Sequence, residues 1–488
     1  MGKRGQLPEC AISALAVFSS LSAALPATGN DATAKLPFHL IKDGKATATV
    51  VMSKVPPEDA YDIVKAIDLF RHDVARFGIP TGDWIDIPVN NRLYRGRRPK
   101  TNRIELVVEK RPLETEDDTV IDFPEEQVMR ITGGRSGVIR ALFYLLEEFG
   151  GVRYLGQGGA APSHFPSIRE LAVPQKRIER RAVFPLSRTT GQSTYAIDCP
   201  RRRPYFWGWE AKLGAKARID ARGHSLDKIA FPIEEYARRK QKPPGEIFPI
   251  LHGERYLPYE KNLRYACNGW QPCFTSEAAV DEAATNILAF LRTFPRTTSI
   301  KLNVNDCGNH CECEKCLAVD QGGKVRNMLG YVDRSESYYL WANRLAERVC
   351  KEFPDVYFTC IAYREVYEPP SLKLHPRIAV TLLFDLSSWA DPEVTKERKE
   401  LMRRWARKCD LLGFGGYDWG CFCYSLPRVY FREQQEAIRA LRDHHGVTLT
   451  SSRSYLTMNE GPKMYLYFKL QENPDLDLEE TIGDWCRA

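Results

Sequence analysis

The chain lacks the short motifs that mark most cofactor and nucleophile chemistries. It has no G-x-G-x-x-G turn for a dinucleotide, no Walker A loop, no H-E-x-x-H zinc pair and no serine-centred nucleophile elbow. Gly322-Gly323-Lys324 is the end of a phosphate loop without its first glycine, and reads as a turn. Beyond the first 25 residues, no stretch reaches the roughly 18 apolar residues that a membrane span requires. Charge of one sign is also scarce. Against 63 acidic residues stand 70 basic ones, a net +7 spread along the chain apart from short runs such as Arg201 to Arg203, and this is no nucleic-acid footprint.

What is present describes a globular protein. Hydrophobic residues make up 43% and charged residues 27% of 488, enough to fill more than one core, so two domains are expected. The N-terminus has Lys3 and Arg4, an apolar run from Ala11 to Leu25, and then Pro26-Ala27-Thr28-Gly29, the layout of a secretory signal peptide. Residues 1–34 are therefore expected to be a leader and the protein to be exported, periplasmic or extracellular.

The most informative stretch is Thr298 to Cys316, TSIKLNVNDCGNHCECEKC. Ile300, Leu302 and Val304 alternate as in a strand, which runs into Asn305, Asp306, Asn309, His310 and four cysteines. A carboxylate at the C-terminal end of a strand is rigidly held, so Asp306 is the first catalytic candidate. Fourteen cysteines are many, and Cys311, Cys313 and Cys316 lie too close together to pair comfortably among themselves. Disulfides, free thiols and a structural zinc all remain open. A fourth zinc ligand is available from Cys307, Cys273, Cys360 or His310. The cluster is expected to brace the loop and to stand outside the chemistry, which needs no cofactor.

Taken in order, strands over 46–52, 102–109 and 127–131 and helices over 58–77 and 136–149, the latter with Ser136 as N-cap, describe a small α/β domain at 36–160. Residues 161–180, with several Gly and Pro, read as a linker. Beyond it, strand candidates fall at 182–186, 216–220, 246–250, 299–304, 356–362, 378–384, 411–415 and 447–450, with clear helices over 277–294 and 335–353. Eight strands predict an α/β fold of the (β/α)8 TIM-type barrel class over 181–455, followed by a helical tail at 456–488; an open doubly wound sheet fits the alternation too.

Two resemblances are carried by particular blocks. Gly137 to Leu155, GVIRALFYLLEEFGGVRYL, is similar to the helix and strand closing the small N-terminal domain of alpha-glucuronidases and beta-hexosaminidases. GHSLDK from Gly223, WQPCF from Trp270, NVND with CECEKC from Asn303, AYREVYEPP from Ala362, and GPKMYLYFKL with NPDLDLEE from Gly461 resemble a family of functionally uncharacterised bacterial proteins, many exported, with a glycoside-hydrolase-like barrel. The resemblance implies a glycosidase fold and a carbohydrate ligand; it names no reaction, because one fold hosts many functions.

Glycosidases need two carboxyls flanking the scissile bond. The strand ends supply Asp306, Glu365, Asp385 and Asp418 as catalytic candidates, with Asp306 as general acid and Asp418 or Asp385 as its partner. His224, Trp270, Gln271, Asn305, Tyr363 and Tyr417 are candidates for binding sugar, by stacking or by hydrogen bonds. Where relatives tend to carry an Ala-Glu-Ala-Tyr stretch, this chain has Ser452, Arg453, Ser454 and Tyr455. Arg453 cannot serve as a base, although it can bind an acidic sugar. Relatives often continue into further helices where this chain ends at Ala488, so a non-catalytic carbohydrate-binding protein on a degenerate barrel is the second reading.

Overall fold

The computed structural model describes residues 36–78, 102–155, 163–192, 212, 216–217, 219, 223–239, 243–260, 269–417, 429–454 and 461–488. The expected leader and Asp418 lie outside these residues.

Near the N-terminus, a five-stranded sheet runs in the order Ala48–Lys54, Asn102–Val108, Val128–Gly133, Thr119–Glu125, Ile178–Arg180. The first three are parallel, and Thr119–Glu125 is antiparallel to both its neighbours. Helices Ala60–Ala75 and Arg135–Glu148 cover it with Ile63, Ile67, Phe70, Leu142, Phe143 and Leu146, all buried. The second helix starts earlier than expected, and its N-cap is Gly134, not Ser136. A Cβ at Gly134 would lie 2.3 Å from the Glu116 carbonyl oxygen, so the close approach demands glycine. The interval read as a linker supplies two strands here, Leu171–Val173 beside Phe38–Lys42 and Ile178–Arg180 beside Thr119–Glu125.

The larger sheet has the order Lys216–Ala217, Ser187–Gln192, Thr448–Ser454, Leu411–Tyr417, Ile378–Asp385, Tyr357–Ala362, Ser299–Lys301. All neighbours are parallel except the first pair. Tyr357–Ala362 is buried at every position, as a central parallel strand covered on both faces must be. The earliest parallel strand lies beside the last, the order a barrel has at its seam. Among the described residues the sheet is mixed α/β and does not close.

Four expected strands differ. Region 182–186 is irregular and the strand follows it at Ser187–Gln192, while region 299–304 is a strand only over Ser299–Lys301. Region 216–220 gives two residues antiparallel to Ser187–Gln192. Region 246–250 gives a 3-10 turn, Gly245–Ile247, and then Ile250–Leu251, which hairpins onto Glu254–Arg255 through His252 and Gly253, both at positive φ. Pro244 and Pro249 flank that turn and cannot donate to a ladder, which excludes a longer strand.

The helices Gly461–Glu472 and Leu478–Arg487 bind the two halves together. Phe468 is buried in the N-terminal core, while Leu466, Tyr467 and Leu470 are buried in the core of the larger sheet. Arg140 donates to Glu147 at 2.6 Å and to Glu472 at 2.7 and 2.9 Å; Arg180 reaches Glu472 at 3.3 Å, and Lys469 reaches Glu147 at 2.7 Å.

Candidate active site at the strand ends

Because the strands are parallel, their C-terminal ends share one edge of the sheet, and the carboxylates that follow them are gathered there. Asp306 follows Ser299–Lys301 after a buried run from Leu302 to Asn305. Its carboxylate is 46% exposed. The Tyr363 hydroxyl donates to Asp306 Oδ1 at 3.0 Å, His224 Nε2 lies 3.9 Å from the same oxygen and an Arg364 nitrogen lies 3.8 Å from it. The other side of that guanidinium is 3.5 Å from Glu365 Oε1. One arginine therefore spans two carboxyls, which places their oxygens within roughly 10 Å of each other, a bound that covers both separations used by glycosidases.

Backbone geometry produces this grouping. Arg364 has φ 49, a left-handed conformation uncommon for a side chain of its size. It follows Tyr363 at the end of Tyr357–Ala362 and opens the 3-10 turn Arg364–Val366. Arg334 N–H donates to the Glu365 carbonyl at 2.7 Å, Asn327 Nδ2 donates to the Arg364 carbonyl, and the guanidinium lies over the Tyr331 ring, 5.0 Å from its centroid. Burial pushes the Glu365 carboxyl above its ordinary range; Arg364 and Arg334 act against that and Asp306 adds to it. A Cβ on Gly308 would lie 3.0 Å from Glu365 Oε1, so a larger residue there would crowd that carboxylate.

His310 lies behind Glu365. It is 5% exposed, its Nε2 is 4.0 Å from Glu365 Oε2, and neither ring nitrogen has a hydrogen-bond partner among the described residues. Burial, with Arg334 and Arg364 nearby, pushes its pKa down to about 3, so the ring is neutral.

The remaining candidates separate by what they touch. Trp270 was expected as a stacking platform, but it is 0% exposed and packs against Phe231 and Phe248 in the core, where no sugar can reach its face. Gln271 is equally buried and is used up by backbone: its amide donates to the carbonyls of Asn305 at 2.8 Å and Cys307 at 3.1 Å and accepts from Asn305 N–H at 3.1 Å. Asn305 in turn donates to the Trp270 carbonyl at 2.7 Å. These two amides position the Asp306 loop and do not face solvent. His224 Nδ1 is 2.6 Å from the Val304 carbonyl, which can only accept, so Nδ1 carries the proton and Nε2 faces Asp306. Asp385 accepts from Ser387 N–H at 3.0 Å and Ser387 Oγ at 2.8 Å, capping the 3-10 turn Leu386–Ala390. Tyr417 pairs with Asp385 and Ser452, and Arg453 sits at a register irregularity near the end of its strand. The side chains of Tyr417 and Arg453 lie outside the described residues, as Asp418 does.

Sulfur from Cys273 joins Cys311, Cys313 and Cys316, all four within 4.8 Å of one another. Cys307 and His310 do not belong to that group, and Cys360 is buried in the main core. Arg364 was not singled out from sequence, although it lies within AYREVYEPP; the positive φ that aims it has no signature in residue type.

Residues 162–488 match the family model described as a domain of unknown function, DUF4838. The chain belongs to this family. No curated protein matches it. Solved structures with a likeness to this DUF4838 chain include a family 89 glycoside hydrolase from Clostridium perfringens in complex with 2-acetamido-1,2-dideoxynojirmycin, at TM-score 0.49 and 11% identity over 90% of this chain and 53% of that one. A doubly substituted CpGH89 from Clostridium perfringens in complex with its substrate GlcNAc-alpha-1,4-galactose gives TM-score 0.47 and 11% identity over 88% of this chain and 51% of that one. A GH138 enzyme targeting pectin rhamnogalacturonan II gives TM-score 0.34 and 9% identity over 89% and 52%. The chain spans about half the length of these structures. Among the described residues, no helix is long and apolar enough to cross a membrane.

Proposed function

We propose that this protein is a glycoside hydrolase acting on a glycan, exported as its N-terminal pattern suggests, with its chemistry at the C-terminal ends of a barrel-type parallel sheet. The supporting observation is the pairing of Asp306 and Glu365 through one guanidinium, beside Tyr363 and His224. Environments that push two carboxyls apart separate acid from base. Burial favours the protonated form of Glu365, which makes it the proton donor to the leaving oxygen. Asp306, half-exposed and oriented by the Tyr363 hydroxyl, takes the base or nucleophile role. This exchanges the part that strand-end reasoning gave to Asp306. Similarity of 137–155 to the N-terminal domain of alpha-glucuronidases and beta-hexosaminidases supports a glycan ligand.

The second reading keeps the sugar and drops the cleavage. It is favoured by Arg453, which stands where a glutamate is expected in relatives. A screen of aryl glycosides and polysaccharides with wild type, Asp306→Asn and Glu365→Gln separates the two. Polysaccharide hydrolysis that falls roughly a hundredfold or more in both variants supports the hydrolase. Glycan binding without turnover in the wild type supports the binding protein, and turnover unchanged in both variants removes this carboxylate pair from the mechanism.

A further inference from the structure

We propose that Cys273, Cys311, Cys313 and Cys316 form a closed tetrahedral site for a structural zinc ion. The argument is independent of the hydrolase reading. Cys273 Sγ lies 3.7 Å from both Cys313 Sγ and Cys316 Sγ. Four thiolates at a zinc–sulfur distance of about 2.3 Å have tetrahedral edges of about 3.8 Å. A disulfide would need about 2.05 Å between sulfurs. The observed spacing therefore suits four sulfurs around one ion and not two covalent pairs.

The surroundings suit thiolates too. Ile250 N–H donates to Cys311 Sγ at 3.3 Å and Cys316 N–H to Cys313 Sγ at 3.5 Å, while Thr275 Oγ1 lies 3.1 Å from Cys316 Sγ. Donors aimed at sulfur spread the negative charge that four thiolates place on a divalent ion. Cys273, Cys311 and Cys316 are buried and Cys313 is half-buried, so the ion would be held by protein sulfur alone, with no open position for a substrate or water. Soft tetrahedral sulfur selects zinc over the hard cations. Each thiol gives up its proton to solvent as it binds, so uptake of zinc is accompanied by proton release.

Such an ion would join two segments far apart in sequence. Cys273 precedes the helix Glu277–Thr293, Cys311 lies on the loop after Ser299–Lys301, and Cys313 and Cys316 are the N-cap and a first-turn residue of the short helix Glu314–Val319 that ends this loop. The same two segments are laced by Gln271 N–H to the Asn309 carbonyl at 3.1 Å, Asn309 Nδ2 to the Gly269 carbonyl at 2.7 Å, and the amides of Gln271 and Asn305. Zinc would close the far end of this lacing and fix the loop that begins at Asp306.

The test is elemental analysis of the full chain after exhaustive dialysis, with thiol titration before and after denaturation in chelator. The expected result is about one zinc per chain, a set of thiols that titrates only once the metal is removed, and the absorption of a tetrahedral tetrathiolate on cobalt exchange. Cys273→Ser and Cys313→Ser should each lose zinc and melt lower, whereas Cys350→Ser, outside the cluster, should retain it. If the serine variants fail to fold, the metal content and cobalt spectrum of the wild type still decide. Metal-free protein of unchanged stability with all four thiols free overturns the proposal, as do disulfides among these cysteines by mass spectrometry, or iron in place of zinc.

Discussion

Replacing Arg140 with methionine should uncouple the C-terminal helices from the N-terminal sheet. The guanidinium is 6% exposed and makes three charge-assisted hydrogen bonds, to Glu147 at 2.6 Å and to Glu472 at 2.7 and 2.9 Å. Methionine fills similar volume but leaves the buried Glu147 and the partly buried Glu472 short of a cation. Breaking a buried pair from one side costs about 3 to 5 kcal/mol. Lys469 on Glu147 and Arg180 on Glu472 remain, which argues for about 3 kcal/mol, the lower end. Burial alone would push both carboxyls up, but Lys469 and Arg140 for Glu147, and Arg140 and Arg180 for Glu472, more than offset it, so both are held below the usual range. A depressed folded pKa gives stability that is present above the unfolded value, near 4.3, and is lost as pH falls below it. The gap between wild type and Arg140→Met should thus be full at pH 7 and shrink toward pH 4 and below. Denaturant unfolding followed at both pH values measures it, and the triple variant with Glu147→Gln and Glu472→Gln should recover much of the loss. A cost under about 1 kcal/mol at pH 7, or one that does not change on acidification, would refute the network as the link between the two halves.

Two further outcomes concern the carboxyls. Asp385→Ala should cost about 1 kcal/mol, the value of a lost cap, and leave turnover unchanged; thermal melts and initial rates check both, and a large rate loss would return Asp385 to the mechanism. Since the Glu365 pKa is raised, activity should fall as pH rises through that elevated value, where the proton is lost; Glu365→Gln should abolish this basic limb and spare substrates with activated aryl leaving groups, as pH–rate profiles on two aryl glycosides will reveal.

The parts of this molecule readable from sequence are those set by local pattern. The alternation of Ile300, Leu302 and Val304 placed Asp306 at a strand end, and the periodic helices at 277–293 and 335–349 form almost as expected. Region 246–250 differs because a short run with Ile247, Phe248 and Ile250 around Pro249 cannot reveal whether it joins a sheet or turns into a hairpin, and the His252-Gly253 turn decided it. Trp270 failed for another reason: a tryptophan beside a glutamine carries no mark of which way its ring points, and Phe231 and Phe248 claim it from segments far away or on another loop. Cys273 was one of several candidates for a fourth sulfur, and only the fold brings it, not Cys307 or Cys360, to the other three.

Several of the places where local preference is overruled fall at one edge of the sheet. Arg364 holds a positive φ, Gln271 and Asn305 bury whole amides, His310 is buried neutral with both nitrogens unpaired among the described residues, and Glu365 is kept in surroundings that disfavour its charge. Each carries a cost that a well-packed apolar substitute would avoid, of order 1 to 3 kcal/mol for a strained backbone or an unsatisfied buried group. Stability alone offers no reason to collect them, and elsewhere the charges of Arg140, Glu147 and Glu472 are paired with one another. Their convergence around Asp306 is what a site that must hold carboxyls in fixed positions requires. The same reasoning explains why the loop is anchored from behind by Gln271, Asn305 and four sulfurs. A half-exposed aspartate can keep one geometry only if the chain that carries it cannot move.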